Sequence, residues 1–121
     1  MRGFGFVLAS AFMLTGMTAA QASDADFSLR NKTGYQIDEV YVSGHSSKSW
    51  GRDIMGRDAL GDGETVKITF PHGGIACRFD IKVKYHDDNS TAEWSDVNLC
   101  EFDIISIFWD ERNQVTRAVG E

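Results

Sequence analysis

Read for the alternation of apolar and polar side chains, most of the chain falls into short segments of period two, separated by turn-forming residues. Phe27-Ser28-Leu29-Arg30 alternates and runs into the turn formers Asn31-Lys32-Thr33-Gly34. Segment 35–43 resumes the pattern and is expected to place Tyr35, Ile37 and Tyr41 on one face, with Val40 and Val42 on the other. Segment 65–70 turns Val66, Ile68 and Phe70 inward, and Pro71 ends it because proline has no backbone donor. Segment 79–85 is the cleanest, with Phe79, Ile81, Val83 and Tyr85 facing in and Asp80, Lys82 and Lys84 facing out. After the turn His86-Asp87-Asp88-Asn89, segment 91–97 carries Ala92 and Trp94 inward. Segment 104–109 is apolar on both faces, as an interior strand is, and a polar turn joins it to segment 115–119.

Seven short strands imply an all-β domain. A small antiparallel β-sandwich is the expected architecture, because two sheets bury one face of each strand. A small β-barrel is the alternative, and strand order does not follow from the pattern. Trp94 and Trp109 lie on strand faces and are assigned to the core.

One segment breaks the rhythm. Residues 43–62 contain Gly44, Gly51, Gly56 and Gly61, with Trp50, Ile54, Met55 and Leu60 between them. The glycines oppose a continuous helix, although a single helical turn fits within 53–59. A connection this long in a small domain is usually functional or packed on itself. Trp50, flanked by Lys48 and Arg52, reads either as a plug at the end of the sandwich or as an anchor for a protein partner, since Trp and Arg dominate interface hot spots.

The N-terminus changes the compartment. Arg2 precedes an apolar run over 4–17, and Ala20-Gln21-Ala22 forms a small-residue cleavage site, the three parts of a secretory signal. The apolar run is shorter than the roughly 20 residues of a membrane span. Cleavage after Ala22 leaves a single β domain over 23–121, 99 residues in all, in the periplasm or secreted, with no stable membrane anchor. Export licenses a reading of the two cysteines. Cys77 and Cys100 are expected to form a disulfide that stabilises so small a domain by roughly 3 kcal/mol. The formal net charge of −6 becomes −7 once Arg2 is removed, which disfavours nucleic acid as a partner.

Candidate chemistry adds little. Residues 58–64 lie on the EF-hand calcium loop with Gly63 at its glycine position, but Leu60 and Thr69 stand where acidic ligands belong. Calcium held between sandwich loops would instead need Asp53, Asp58, Asp62, Asp87, Asp88 and Asp110 to converge at one end. Ser43, His45 and Asp53 can be assembled on paper into a nucleophile, base and orienting acid, yet no nucleophile elbow accompanies them. No catalytic residue and no cofactor are assigned, and an enzyme is not expected.

Phe27-x-Leu29-x-Asn31-x-Thr33-Gly34-Tyr35-x-Ile37-Asp38-Glu39-Val40-Tyr41-Val42-Ser43, followed by Trp50-Gly51-x-Asp53-x-x-Gly56 and Leu60-x-x-Gly63, is similar to a family of small exported bacterial proteins of unknown function. The resemblance continues through Ile68-x-Phe70, the two cysteines and Trp94, and implies a bacterial, exported protein. Some similar sequences carry the name argininosuccinate lyase. That enzyme is a large helical protein, and its activity is not expected of this short β chain. The leading expectation is a non-enzymatic binding module that presents loop 43–62, with Lys48, Trp50 and Arg52, to a protein or other ligand. A small inhibitor of an envelope-targeting enzyme and a calcium-dependent sandwich domain are the alternatives.

Overall fold

The computed structural model describes residues 24–70 and 76–121, so the expected export signal, its expected cleavage site after Ala22, and Pro71 lie outside the described residues. Seven strands form: β1 (Phe27–Lys32), β2 (Ile37–Gly44), β3 (Thr65–Ile68), β4 (Arg78–Tyr85), β5 (Thr91–Asn98), β6 (Ile104–Asp110) and β7 (Val115–Gly120). They make two sheets, ordered β3-β1-β6-β7 and β2-β4-β5, which do not close into a barrel. The fold is a sandwich.

One ladder departs from the antiparallel expectation: β1 and β6 run parallel, with Leu29 opposite Ile105 and Asn31 opposite Ile107. Parallel neighbours need a long crossover, and here the whole β2-β4-β5 sheet and β3 lie between the two strands in sequence. Between the sheets, Phe27, Leu29, Ile105 and Ile107 meet Ile37, Val40, Ile81 and Val83, all buried. Each such side chain contributes about 1.5–3 kcal/mol of transfer free energy.

Two irregularities re-aim side chains. The register of β2 on β4 shifts between Ile37 and Glu39, so Ile37 and Val40 are both fully buried and Val42 packs on the same core. Tyr41 is thereby turned to the outer face, and Tyr35 stands before the strand, 43 % exposed. This corrects the expected facing of segment 35–43: an extra residue in a ladder inverts the alternation beyond it. On β5, Val97 pairs with Phe79 and Trp94 with Ile81, which leaves an extra residue at Asp96, whose φ is +56°. The Asp80 carboxylate accepts the Asp96 amide at 2.9 Å and holds that bulge.

The two ends of the sandwich differ. At one, the disulfide Cys77–Cys100 joins the start of β4 to a 3-10 turn at Leu99–Glu101, with Cα atoms 5.3 Å apart. Close by in sequence, Phe102 lies so near the backbone of Gly120 that a Cβ there would sit 2.3 Å from its ring. At the other end, Ile37 opposes Tyr85, and the parallel β1 and β6 finish together. Three short connections therefore meet there: β1–β2, β4–β5 and β6–β7.

Candidate functional site

The three short connections and the strand ends beside them line an open cavity of about 230 Å³. Tyr35 enters from the β1–β2 turn, Tyr85 and Trp109 from the ends of β4 and β6, and Asp87, Asp88, Ser90, Glu111 and Gln114 from the two hairpin turns. The Tyr85 ring is nearly perpendicular to both of its aromatic neighbours, at 88° to Tyr35 and 84° to Trp109, with centroids 6.1 and 6.4 Å away. Tyr85 is almost fully buried, and its hydroxyl hydrogen-bonds the Thr116 hydroxyl at 2.6 Å. Burial pushes its phenol pKa up, so it stays neutral.

Local hydrogen bonds fix each wall. Asn31 is fully buried and fully used: its Nδ2 donates to the carbonyls of Tyr35 at 2.8 Å and Leu60 at 2.9 Å. Its Oδ1 accepts from the Thr33 amide and hydroxyl at 2.9 and 2.7 Å. Gly34, at φ +86°, makes the turn that no side-chain-bearing residue takes without strain, and its amide donates to Asp62. In the β4–β5 turn the Asp88 carboxylate accepts from the Ser90 hydroxyl and amide, which holds its pKa below the usual carboxylate value. The Trp109 indole donates to Glu111 Oε1 at 2.9 Å, and Gln114 donates to the Glu111 carbonyl. Asp87 makes no hydrogen bond to another described residue.

The long connection behaves otherwise. Its second half is bound along β2: Ile54 donates to Val40, Leu60 and Ile37 exchange both backbone hydrogen bonds, and Asp53 Oδ1 accepts the amides of Val40 and Met55 at 2.9 Å. An edge strand is thereby covered, which removes a row of unpaired backbone groups. The region expected to allow a helical turn contains hydrogen-bonded turns, Gly56 to Asp53 and Asp58 to Met55. Trp50 does not plug the end of the sandwich. It is half-buried on the outer face of the β2-β4-β5 sheet, 6.4 Å from the Tyr41 ring, with Lys82 Nζ 5.1 Å above it. A recess of about 130 Å³ beside it is lined by Ser43, Ser47, Lys48, Ser49, Trp50 and Asp80. Tyr41 donates to Glu39 at 2.5 Å, which pushes its pKa up to about 12.

The remaining sequence candidates disperse. Trp94 packs against the core, whereas Trp109 lines the end cavity instead of the core to which its strand position assigned it. Ser43 bonds the Ser49 carbonyl, His45 pairs with Asp80 at 2.8 Å, and Asp53 serves backbone amides, so these three form no relay. Asp62 holds Gly34, Asp110 is bound by Asn113 and Arg117 with its pKa pulled down to about 2, and Asp58 and Arg52 are exposed. Among the described residues no three His, Cys, Asp or Glu side chains are placed to hold a metal ion, and the six aspartates that calcium would need at one end do not gather there. Of them only Asp87 and Asp88 reach the end cavity. Sequence reasoning missed that cavity and the role of Asn31. The available signal was an aromatic at each of three strand-to-turn junctions: Tyr35, Tyr85 and Trp109.

No family model matches the chain, and no curated protein matches it. Among solved structures, an NMR structure of a protein from Eubacterium rectale is similar, with a TM-score of 0.57 at 13 % identity, covering 83 % of this chain and 88 % of that one. At that identity the likeness concerns the fold alone.

Proposed function

We propose that the chain is an exported, non-enzymatic binding module whose ligand seat is the cavity between the three short connections. One observation carries this reading: three aromatic rings and three carboxylates, drawn from three separate connections, line a single cavity. Ligand sites on sandwich domains are commonly assembled from loops gathered at one end. At about 230 Å³ the cavity is smaller than the roughly 300–1,000 Å³ of drug-sized sites, so it suits a head group or one side chain. Export to the periplasm or beyond is supported by the signal-like N-terminus and by the disulfide, which belongs to oxidising compartments. No helix among the described residues is long and apolar enough to cross a membrane.

The test is an amide NMR titration of the exported protein with a panel of small cations, anions and neutral polyols. Shifts gathered on 85–90 and 109–114 are expected for at least one class. A panel that moves only other residues, or none, contradicts the reading.

A second reading keeps loop 43–62 as a partner surface, through Lys48, Trp50 and Arg52. It is favoured by Trp50 remaining half-exposed on Tyr41 and Lys82 beside a recess. The inhibitor variant uses the same surface, with only the first half of the loop free to enter a partner's cleft. Capture of a periplasmic partner by the protein and equally by a Trp50→Ala form contradicts this second reading.

A further inference from the structure

We propose that the end cavity selects a small organic cation, an alkylammonium group, as its ligand; this rests on the cavity being the binding site. Charge is the first argument. Asp87, Asp88 and Glu111 line it and no lysine or arginine does, so its electrostatic potential is negative. An anion is repelled there, and a neutral solute leaves the negative charge of the three carboxylates uncompensated.

The form of the charge is the second argument. The carboxylates are spread around the wall and are not drawn together as a cation of ångström radius requires; among the described residues no group of three acidic, His or Cys side chains is placed to hold a metal. A diffuse charge on a methylated or alkylated nitrogen matches a dispersed set of acids better than a compact ion does.

The rings are the third. Aromatic faces are negative and attract cations whose hydration is weak, a modest effect in an open site such as this one, whose acidic wall is exposed. Tyr35 and Trp109 stand nearly perpendicular to Tyr85, so the three rings make concave corners. A sugar stacks best on an open, flat ring, and corners suit a compact, rounded group. Rigidity is the fourth: the Trp109 indole is held by Glu111 and the Tyr35 backbone by Asn31, so part of the wall is ordered before binding.

The same ammonium chemistry is found on free amines and on lysine side chains of a peptide. The experiment therefore titrates the exported protein with three probes, read by amide NMR: choline, its neutral carbon isostere 3,3-dimethylbutan-1-ol, and a blocked Gly-Lys-Gly tripeptide. For a site this small a dissociation constant on the order of 1 mM is expected for the cation that binds. Choline binding at 85–90 and 109–114 identifies a free quaternary ammonium compound, and tripeptide binding there identifies the primary ammonium of a side chain; either supports the proposal. The isostere is expected to bind at least about fivefold more weakly. Asp87→Asn, at an exposed position, is expected to weaken the cation about twofold to fivefold without altering the rest of the spectrum. Equal binding of the isostere at the same residues overturns the cation assignment while leaving the cavity as the site. Silence from both cations, with an anion or a polyol shifting the cavity residues, overturns it likewise. Silence from every solute at those residues overturns the site itself.

Discussion

The long glycine-rich connection and the three short turns at the end of the sandwich divide the irregular backbone between them, and their roles are the reverse of what their lengths suggest. The long one is mostly consumed by its own scaffold. Asp53, Ile54 and Leu60 tie it to β2, and what it leaves accessible is Trp50 on a flat sheet face. Each short turn is ordinary alone, but Tyr35, Tyr85 and Trp109 are brought together by the parallel pairing of β1 with β6 and the register of β2 on β4. Length shows where backbone hydrogen bonds need a home, and convergence is what makes the end cavity the proposed ligand seat.

The largest expected effect lies outside both regions. Replacing Cys77 and Cys100 by serine should lower stability by about 3 kcal/mol in chemical denaturation, because the bond restricts the unfolded chain. It should leave the cavity unchanged in the folded fraction, since the bond closes the opposite end. Altered cavity resonances would show the two ends to be coupled.

Asn31→Ala should come next, at about 2 kcal/mol, because it removes four hydrogen bonds of one buried side chain at once, two to the Tyr35 and Leu60 carbonyls and two from Thr33. It touches both regions, so ligand shifts at Tyr85 and amide exchange near Leu60 should change in one variant. Asp53→Ala should cost about 1 kcal/mol and raise hydrogen exchange at Val40 and Met55 alone. If the cavity turns exchange faster as well, the long connection supports the site and the contrast fails.

The smallest effect is a pH limb with one pair in each region. His45 is bound by Asp80 at the root of the long connection, and His86 by Asp38 beside the β4–β5 turn; each carboxylate raises its partner's pKa above 6.5. A raised histidine stabilises the fold fully below the unfolded value and loses that contribution as pH rises through the folded one. The partners Asp38, whose carboxylate also accepts from Gln36, and Asp80, which accepts from the Asp96 amide, are lowered below 3.8 and lose their contribution as pH falls. Thermal midpoints should therefore be highest between pH 3.8 and 6.5 and sag slightly on either side. His45→Asn with His86→Asn should flatten the upper limb. A limb that persists in the double variant assigns it to other groups.

Much of the fold was legible because its signal is local. The strands follow from alternation and, for β6, from a short run apolar on both faces, and the Cys77–Cys100 bond follows from cysteine count and the expectation of export. The facing of Tyr41 was not legible, because a bulge depends on pairing with β4 and leaves no mark in β2 alone. Nor was the parallel β1–β6 ladder, a relation between segments far apart in sequence. The cavity was illegible for the same reason: Trp109 reads as a core residue until the turns of the other sheet are placed beside it. Asn31 looked like one more turn former, and its four hydrogen bonds need Leu60 in space.

The chain carries three tryptophans: Trp50 on the long connection, Trp94 packed on the core and Trp109 in the cavity. Fluorine NMR of the protein labelled with 5-fluorotryptophan thus reports the two regions and an internal control in one spectrum. On titration with choline the Trp109 resonance should shift and saturate while those of Trp50 and Trp94 stay in place. A Trp50 resonance that moves while Trp109 does not would contradict the account.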